Sequence, residues 1–157
     1  FLKGNESALT DREKNGLRLF QSVGCAGCHS GVALGGGSYH KFGAVTTIAK
    51  LTDTDKGRGA FTKNAAEDYF FKVPSLRNIE RTYPYFHTGS VWTLEEAVEI
   101  MAKAQLGKDL KEGERDDIVA FLKSLTGEIP ASALTLPVLP ASGKATSKPE
   151  PYNMLKR

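Results

Sequence analysis

The chain has 157 residues, of which 25% are charged and 40% are hydrophobic, a balance typical of one globular domain and not of a disordered chain. No apolar run approaches the roughly 20 residues of a membrane-spanning helix, so we expect no membrane span. The 17 Lys and Arg up to residue 129 balance 17 Asp and Glu, and the net charge of +3 therefore lies in the tail. A neutral body without a basic face argues against a nucleic-acid partner.

The first predicted element is an amphipathic helix over residues 8–24. Thr10 and Glu13 have the spacing of a capping box, and Leu17, Phe20 and Val23 recur on one face. From residue 30 to residue 64 glycine is frequent and no helical or alternating period persists, which predicts an irregular loop. A loop of this length needs something to wrap around.

Two further helices are predicted before the tail. The segment 92–107 has a capping box at Thr93 and Glu96 and a C-terminal Gly107, and the segment 114–130 places Ile118, Phe121, Leu122 and Leu125 on one face. Evidence for strands is thin, so the predicted class is all-α. Residues 1–129 are expected to form the domain, and residues 130–157, rich in Pro, Ser and Ala, an extended basic tail.

Both cysteines lie in the stretch VGCAGCHSG, with the spacing C-x-x-C-H at Cys25, Cys28 and His29. This motif is the attachment signature of c-type haem, in which two thiols bind the porphyrin and the histidine ligates iron. Three alternatives are a redox dithiol, half of a zinc site and a plain disulfide. A redox dithiol normally follows a strand, and no second ligand pair completes a zinc site, so the spacing favours haem.

A haem also explains the glycine-rich loop, because the macrocycle supplies the apolar centre that the loop lacks. Three helices around one covalent haem make the architecture of a class I cytochrome c, whose first and last helices cross closely. Gly16 and Phe20 are expected to face Phe121 and Leu125. Haem attachment of this kind occurs outside the bacterial cytoplasm, so we expect a periplasmic protein. The chain starts at Phe1 without a leader, so an export signal is expected to be removed or to lie upstream.

The sixth ligand of the iron decides between electron transfer and catalysis, because methionine closes the site and raises the potential. Met101 lies on the apolar stripe of the second predicted helix, and we expect it to be the ligand, with core packing as its alternative role. Met154 and His40 are expected to be ordinary exposed residues. His87, in TYPYFHTGS, is either a hydrogen-bonding group near the haem or a partly buried histidine with no role in ligation.

Haem propionates need cationic donors. Arg58 and Arg77 lie in turn-rich segments that would wrap the haem, and arginine matches carboxylates well. Each is therefore predicted to bind a propionate, with a solvated surface position as the alternative.

Several of these segments resemble one known family. LRLFQSVGCAGCHSGVALGGGSYHKFG, DKGR, FKVPSLRNIERTYPYFHTGSVWTLEEAVEIMAKAQLG and DDIVAFLKSL resemble the C-terminal haem domain of the bacterial di-haem cytochrome c peroxidases, which include the MauG-like proteins. The resemblance covers residues 8–129. It implies His29 as proximal and Met101 as distal ligand. Because MauG-like members have tyrosine at the latter position, Met101 favours a peroxidase-type member.

The family's C-terminal domain passes electrons to a second, peroxide-reducing haem in an N-terminal domain, and a calcium ion lies between the two domains. The resemblance therefore implies calcium contacts from backbone carbonyls of Thr82 and Pro84. It also implies a small cytochrome c or a cupredoxin as electron donor and the N-terminal peroxidatic domain as acceptor.

The sequence contains one C-x-x-C-H motif and no counterpart of the peroxidatic domain. We therefore expect the electron-transfer part of a cytochrome c peroxidase, not catalytic by itself, with one covalent haem c. Three alternatives stay open. One is a stand-alone mono-haem cytochrome, and the second is a haem with an open site that reduces peroxide within this chain, with His87 as proton donor. The third is a haem module that only binds or senses.

Overall fold

The computed structural model describes residues 1, 3–48, 51, 55–136 and 138–146. Its chain divides into two compact units, Phe1–Gly127 and Glu128–Arg157, which are described separately here. The predicted assignment of a haem domain and a tail with separate roles stays a prediction. Met154 lies outside the described residues.

The first unit is mainly helical. Its α-helices are α1 (Asp11–Val23), α2 (Arg58–Thr62), α3 (Leu94–Leu106) and α4 (Glu112–Lys123), joined by 3-10 turns at Glu6–Ala8, Cys25–Gly27, Ala65–Glu67 and Ile79–Arg81. The described part of the second unit contains the single helical turn α5 (Ala131–Leu134). The three long helices predicted from the sequence are confirmed. None of the described helices has the length and apolarity needed to cross a membrane.

The helix ends follow local hydrogen bonding. At the start of α1 the Thr10 hydroxyl accepts from the Glu13 N–H, and the Glu13 carboxylate accepts from the Thr10 N–H, which satisfies two N–H groups that a helix start leaves unpaired. The Thr93 hydroxyl accepts in the same way from the Glu96 N–H at the start of α3. Gly107 ends α3 with φ +62°, the left-handed conformation that glycine adopts without strain.

A two-stranded antiparallel ladder interrupts the region predicted as irregular loop. Strand β1 (Tyr39–Lys41) pairs with β2 (Phe70–Lys72), and the opposed residues are Tyr39 with Lys72, His40 with Phe71 and Lys41 with Phe70. Three residues are too few to show an alternating pattern in the sequence. The expectation of an irregular loop over residues 30–64 was therefore wrong at β1 and at α2.

The first and last long helices cross at Gly16. A Cβ placed on Gly16 would overlap the carbonyl oxygen and carbon of Asp117. Only a hydrogen atom fits at this position. The Phe20 and Phe121 rings pack beside this contact with centroids 5.4 Å apart. The predicted crossing of the first and last helices is confirmed for Gly16, Phe20 and Phe121.

Polar contacts flank the same crossing. The Asp117 carboxylate accepts from Asn15 Nδ2 at 2.6 Å and from Arg12 Nε at 3.0 Å. The hydrogen bond from Asn15 is the largest cause of a lowered pKa of Asp117; desolvation opposes it, and the Arg12 guanidinium lowers the pKa further. Both partners stabilise the carboxylate over the carboxylic acid.

We expect Asp117→Asn to destabilise the first unit at pH 7 and to lose this effect in acid. Because the pKa of Asp117 is lower in the folded chain, its contribution is present above the unfolded value of about 4 and disappears as pH falls through the folded pKa. Thermal melts of both proteins at several pH values between neutral and strongly acidic measure the convergence. Asn15→Ala removes the main partner of the carboxylate, so the thermal midpoint of this variant should fall less steeply as the pH is lowered. A constant difference at every pH would contradict the assignment.

Buried side chains of the first unit form two apolar clusters. The larger cluster joins α1, α3 and α4 and contains eleven buried residues: Phe20, Leu76, Tyr85, Val91, Leu94, Ala97, Val98, Ile118, Val119, Phe121 and Leu122. The smaller consists of Phe42, Leu51 and Ala104, with Phe71, Phe86 and Met101 packed against it. Phe86 and Ile100 pack against both clusters, so the smaller cluster adjoins the larger one at these two residues.

Candidate cofactor site

A cavity of about 500 Å³ is lined by residues of both clusters, a volume within the roughly 300–1,000 Å³ of ligand sites. Its walls are mostly apolar. They include Phe20, Phe42, Phe71, Val73, Leu76, Ile79, Tyr85, Phe86, Leu94, Val98, Leu106, Ile118 and Leu122, together with Cys25, Cys28, His29 and Met101. The structure thus brings the three residues of the C-x-x-C-H motif and the predicted methionine ligand to one cavity.

The end of α1 positions the cysteine loop. Gly24 ends the helix with φ +116°, a conformation that turns the chain at once into the 3-10 turn Cys25–Gly27. The Cys25 carbonyl then accepts from the His29 N–H at 3.0 Å. This compact turn places Cys25, Cys28 and His29 along the same wall.

His29 is 8% exposed and is the buried polar residue of the described core. Its Nδ1 lies 3.3 Å from the Leu34 carbonyl oxygen, and because a carbonyl only accepts, Nδ1 carries the proton in this contact. Burial lowers the pKa of His29, although backbone hydrogen bonds at Leu34 and Pro74 oppose the shift. The side chain is therefore a neutral imidazole whose Nε2 is available to a metal, held as ligating histidines usually are.

The surroundings of Cys25 disfavour the other interpretations of the motif. Burial raises the pKa of the Cys25 thiol to about 11, whereas redox-active dithiols have a lowered pKa. The two cysteines are not joined by a disulfide. Among the described residues no three His, Cys, Asp or Glu side chains converge as a metal site requires, so zinc lacks ligands there.

Met101 reaches the cavity from α3. It is half-buried and packs with the smaller cluster, while the His29 ring packs near Phe20 of the larger cluster, with centroids 6.4 Å apart. Of the two predicted ligands, His29 thus lies near the larger cluster and Met101 against the smaller cluster. A thioether at this point can serve either as core packing or as a ligand to a group in the cavity.

The other two histidines also line the cavity, although both are exposed. The His87 ring stacks on Phe71 with centroids 4.1 Å apart and meets Phe42 edge-on at 5.7 Å. His40 lies on β1 opposite Phe71. His87 is thus fixed between aromatic rings. His40 was expected to be an ordinary exposed residue, and it is exposed, but it also borders the cavity.

The two arginines predicted to bind propionates do not line the cavity. Arg58 Nε pairs with Glu67 Oε2 at 3.0 Å, and its guanidinium lies over the Tyr39 ring. Arg77 Nε donates to the Val32 carbonyl at 3.0 Å. Each of these polar contacts uses the Nε of a guanidinium that has five N–H donors, so the propionate role of Arg58 and Arg77 stays a prediction.

The predicted calcium contacts lie in one turn after the 3-10 segment Ile79–Arg81. Thr82 and Pro84 both border the cavity, and the Thr82 hydroxyl donates to the Ile79 carbonyl. Calcium takes six to eight oxygen ligands, and the described residues bring no cluster of acidic side chains to this turn. The residues described here do not assemble a complete calcium site.

Sequence reasoning missed Gln105, which fixes one wall of the cavity. Its Oε1 accepts from the Gly43 N–H at 2.6 Å, and its Nε2 donates to the Lys41 carbonyl at 3.0 Å. The side chain thereby ties the loop after β1 to α3. Nothing in the sequence marks this glutamine, because its partners are backbone groups more than 60 residues away.

The cytochrome c family model matches residues 13–126, the span that contains every wall of the cavity. This chain belongs to the cytochrome c family. As a cytochrome c it is expected to carry covalent haem c, and the cavity fits that group. It offers two thiols, a neutral imidazole with a free Nε2, and apolar walls.

Relatives of this cytochrome c include peroxidases. The chain is 46% identical over 151 residues to the cytochrome c551 peroxidase of Pseudomonas aeruginosa, covering 95% of this chain and 43% of that protein. It is 45% identical over 129 residues to the cytochrome c peroxidase Ccp of Escherichia coli, covering 81% and 28%. It is 38% identical over 150 residues to the methylamine utilization protein MauG of Methylorubrum extorquens, covering 87% and 40%.

A solved structure agrees with these relatives. The crystal structure of a MauG-like protein associated with microbial copper homeostasis superposes with a TM-score of 0.62 and 29% identity, covering 76% of this chain and 45% of that one. The resemblance to cytochrome c peroxidases and MauG-like proteins predicted from the motifs is thus confirmed. The chain spans less than half the length of these relatives.

Proposed function

We propose that this chain is an electron-transfer cytochrome c domain. It takes electrons from a small cytochrome c or a cupredoxin and passes them to the peroxide-reducing haem of a di-haem cytochrome c peroxidase. The observation that carries the proposal is one cavity lined by the three C-x-x-C-H residues and by Met101, with His29 near the larger apolar cluster and Met101 against the smaller one. A site with ligands from both sides has no open position for a reactant, so it favours electron transfer.

Four residues hold the haem in this proposal. Cys25 and Cys28 anchor one haem covalently, and His29 and Met101 ligate its iron. The Leu34 carbonyl holds His29 in the tautomer that leaves Nε2 free, and the apolar walls exclude water. When bound, the haem supplies a one-electron iron couple whose potential a methionine ligand raises.

The remaining expectations belong to the same proposal. Covalent attachment supports a periplasmic location, and less than half of each relative's length is matched, which supports an N-terminal peroxidatic domain as the acceptor. We retain the carbonyls of Thr82 and Pro84 as contributors to a calcium site whose other ligands come from that domain. We also retain Arg58 and Arg77 as propionate partners, although neither lines the cavity.

We expect Met101→Ala to abolish the weak far-red absorption band that marks methionine ligation in the oxidised haem-bearing chain. Because alanine cannot ligate iron, the variant should also bind cyanide, which the unaltered chain should bind poorly. Visible absorption with and without cyanide measures both effects. Met154→Ala is the matched control and should retain the band.

Two results would overturn the ligand assignment. A band that persists in Met101→Ala and disappears in Met154→Ala would mean that Met154 is the iron ligand. An unaltered chain that binds cyanide readily and reduces hydrogen peroxide would favour the alternative of a catalytic haem, for which His87 beside Phe71 is the histidine best fixed on the cavity wall.

A further inference from the structure

The β1–β2 ladder separates the cavity from the protein surface. Successive side chains of a strand point to opposite faces, so the opposed residues His40 and Phe71 share one face. Both line the cavity. The pair Tyr39 and Lys72 shares the other face with Lys41 and Phe70. A molecule seated on this outer face would be one ladder thickness from the cofactor cavity.

The outer face borders a surface depression of about 510 Å³. Tyr39, Phe70, Phe71 and Lys72 come to it from the ladder, and Asp55, Gly57, Arg58, Phe61 and Thr62 from α2 and the segment before it. Phe71 and Lys72 border both the depression and the cavity. The Phe61 side chain is 89% exposed, and an aromatic ring left in water at the rim of a depression is typical of a binding surface.

Exposed lysines without an ion pair lie on the ladder and next to Thr62 of the depression. Lys56 pairs with Asp68 and Arg58 pairs with Glu67, whereas Lys41, Lys63 and Lys72 are exposed and form no ion pair with any acid in the described part of the chain. Asp55 is the acidic side chain of the depression, and its Oδ1 accepts from the Gly57 N–H. The surface therefore carries an excess of positive charge.

The opposite charge prevails on the last two long helices. Residues 38–75 contain six Lys and Arg against four Asp and Glu, whereas residues 94–123 contain five against eight. Such asymmetry in a nearly neutral domain orients a charged partner before contact and raises the association rate.

We propose that this outer face, formed by Tyr39, Lys41, Phe61 and Lys72, is the docking surface for an acidic electron-transfer protein. Lys63 follows Thr62, which borders the same depression. The inference rests on the proposed electron-transfer function and adds the location and charge of the contact. Phe61 and Tyr39 provide a small apolar centre, and the lysines select a partner with carboxylates around its own redox centre. A contact of this size is transient, as redox encounters are.

The test measures binding of the full haem-bearing chain to oxidised flavodoxin, used as an acidic redox-protein probe. Isothermal titration calorimetry gives the affinity at low and high salt, and amide chemical shifts of the labelled, reduced chain give the contact surface. We expect shifts concentrated in residues 39–41 and 58–72 and an affinity that falls steeply with salt. Lys41→Glu, a single charge reversal at a residue that does not line the cavity, should weaken binding by about threefold or more, and Phe61→Ala should weaken it with no change in salt dependence.

Arg18→Glu is the matched charge reversal on the exposed side of α1 and should leave affinity unchanged. Shifts confined to α3 and α4, equal weakening by Arg18→Glu, or no binding at low salt would overturn the proposal. So would self-association of the unaltered chain that Lys41→Glu abolishes in sedimentation, because a second copy would then be the occupant. The far-red band should be the same in every variant. Loss of the band would show loss of methionine ligation and would contradict the proposed function. Loss of affinity with an unchanged band would concern the docking surface alone.

Discussion

Replacement of both cysteines by serine is expected to give a chain without covalent haem and without a cooperative unfolding transition. Cys25 and Cys28 are the two thiols of the chain, and both lie on the wall of the cavity. Serine forms no thioether, so Cys25→Ser/Cys28→Ser should retain no haem after acid-acetone extraction. Intact mass should show one haem on the unaltered chain and none on the variant.

The loss of folding follows from the size of the cavity. An empty apolar cavity costs about 24 cal/mol per Å³, which for about 500 Å³ gives an upper figure on the order of 12 kcal/mol. A folded domain of this size is stable by only about 5–15 kcal/mol. Water entry and partial collapse of the cavity would reduce this free-energy cost. Both would also disrupt the packing between the two apolar clusters.

Circular dichroism during heating measures the consequence. The variant should keep part of its helical signal, because α1, α3 and α4 have their own capping contacts, and should lose the sharp transition and the aromatic near-ultraviolet signal. The unaltered chain produced without haem attachment is the matched control and should behave like the variant. A variant that unfolds as cooperatively as the haem-bearing chain would contradict the view that the haem completes the core.

The long helices could be predicted from the sequence because their signals are local. Thr10 with Glu13 and Thr93 with Glu96 mark the starts through bonds that span three residues, and Gly107 marks one end. The crossing at Gly16 was also predictable, since a helical glycine flanked by an apolar stripe indicates close approach of a second helix.

The ladder could not be predicted, because its stability comes from residues about 30 positions apart. Each strand has three residues, and the loop that follows β1 is held by Gln105 from α3. The surroundings of the two arginines also depend on distant residues, and their propionate role stays a prediction. A turn-rich segment around Arg58 indicates that the residue is accessible, but only the fold shows that Glu67 and the Tyr39 ring already occupy its guanidinium.

The cysteine motif differs from both, because its spacing carries chemistry directly. C-x-x-C-H brings two thiols and an imidazole together within five residues, so Cys25, Cys28 and His29 could be predicted as one site without knowledge of the fold. Met101 required the additional expectation that its stripe on α3 faces a cofactor. His40 on the cavity wall was not foreseen, because its place there depends on the ladder.

Gly16→Ala is expected to destabilise the first unit by at least about 3 kcal/mol, the upper part of the usual range for overpacking. An ideal Cβ on Gly16 would overlap the Asp117 carbonyl oxygen and carbon and press on the Phe121 Cβ. These are mainly backbone atoms within α4, so no side-chain rotation relieves the overlap and the two helices must separate. Separation also weakens the hydrogen bonds from Asn15 and Arg12 to the Asp117 carboxylate.

Helix propensity acts in the opposite direction, because alanine is better than glycine inside a helix by about 1 kcal/mol. Gly113→Ala is the matched control, since Gly113 lies in α4 and a Cβ there meets no atom within 4 Å. It should leave the thermal midpoint unchanged or raise it slightly, whereas Gly16→Ala should lower it by roughly 10 °C. Equal midpoints for the two variants would mean that the helices do not meet at Gly16. A normal far-red band in a destabilised Gly16→Ala would show that the crossing supports the fold without controlling the iron ligands.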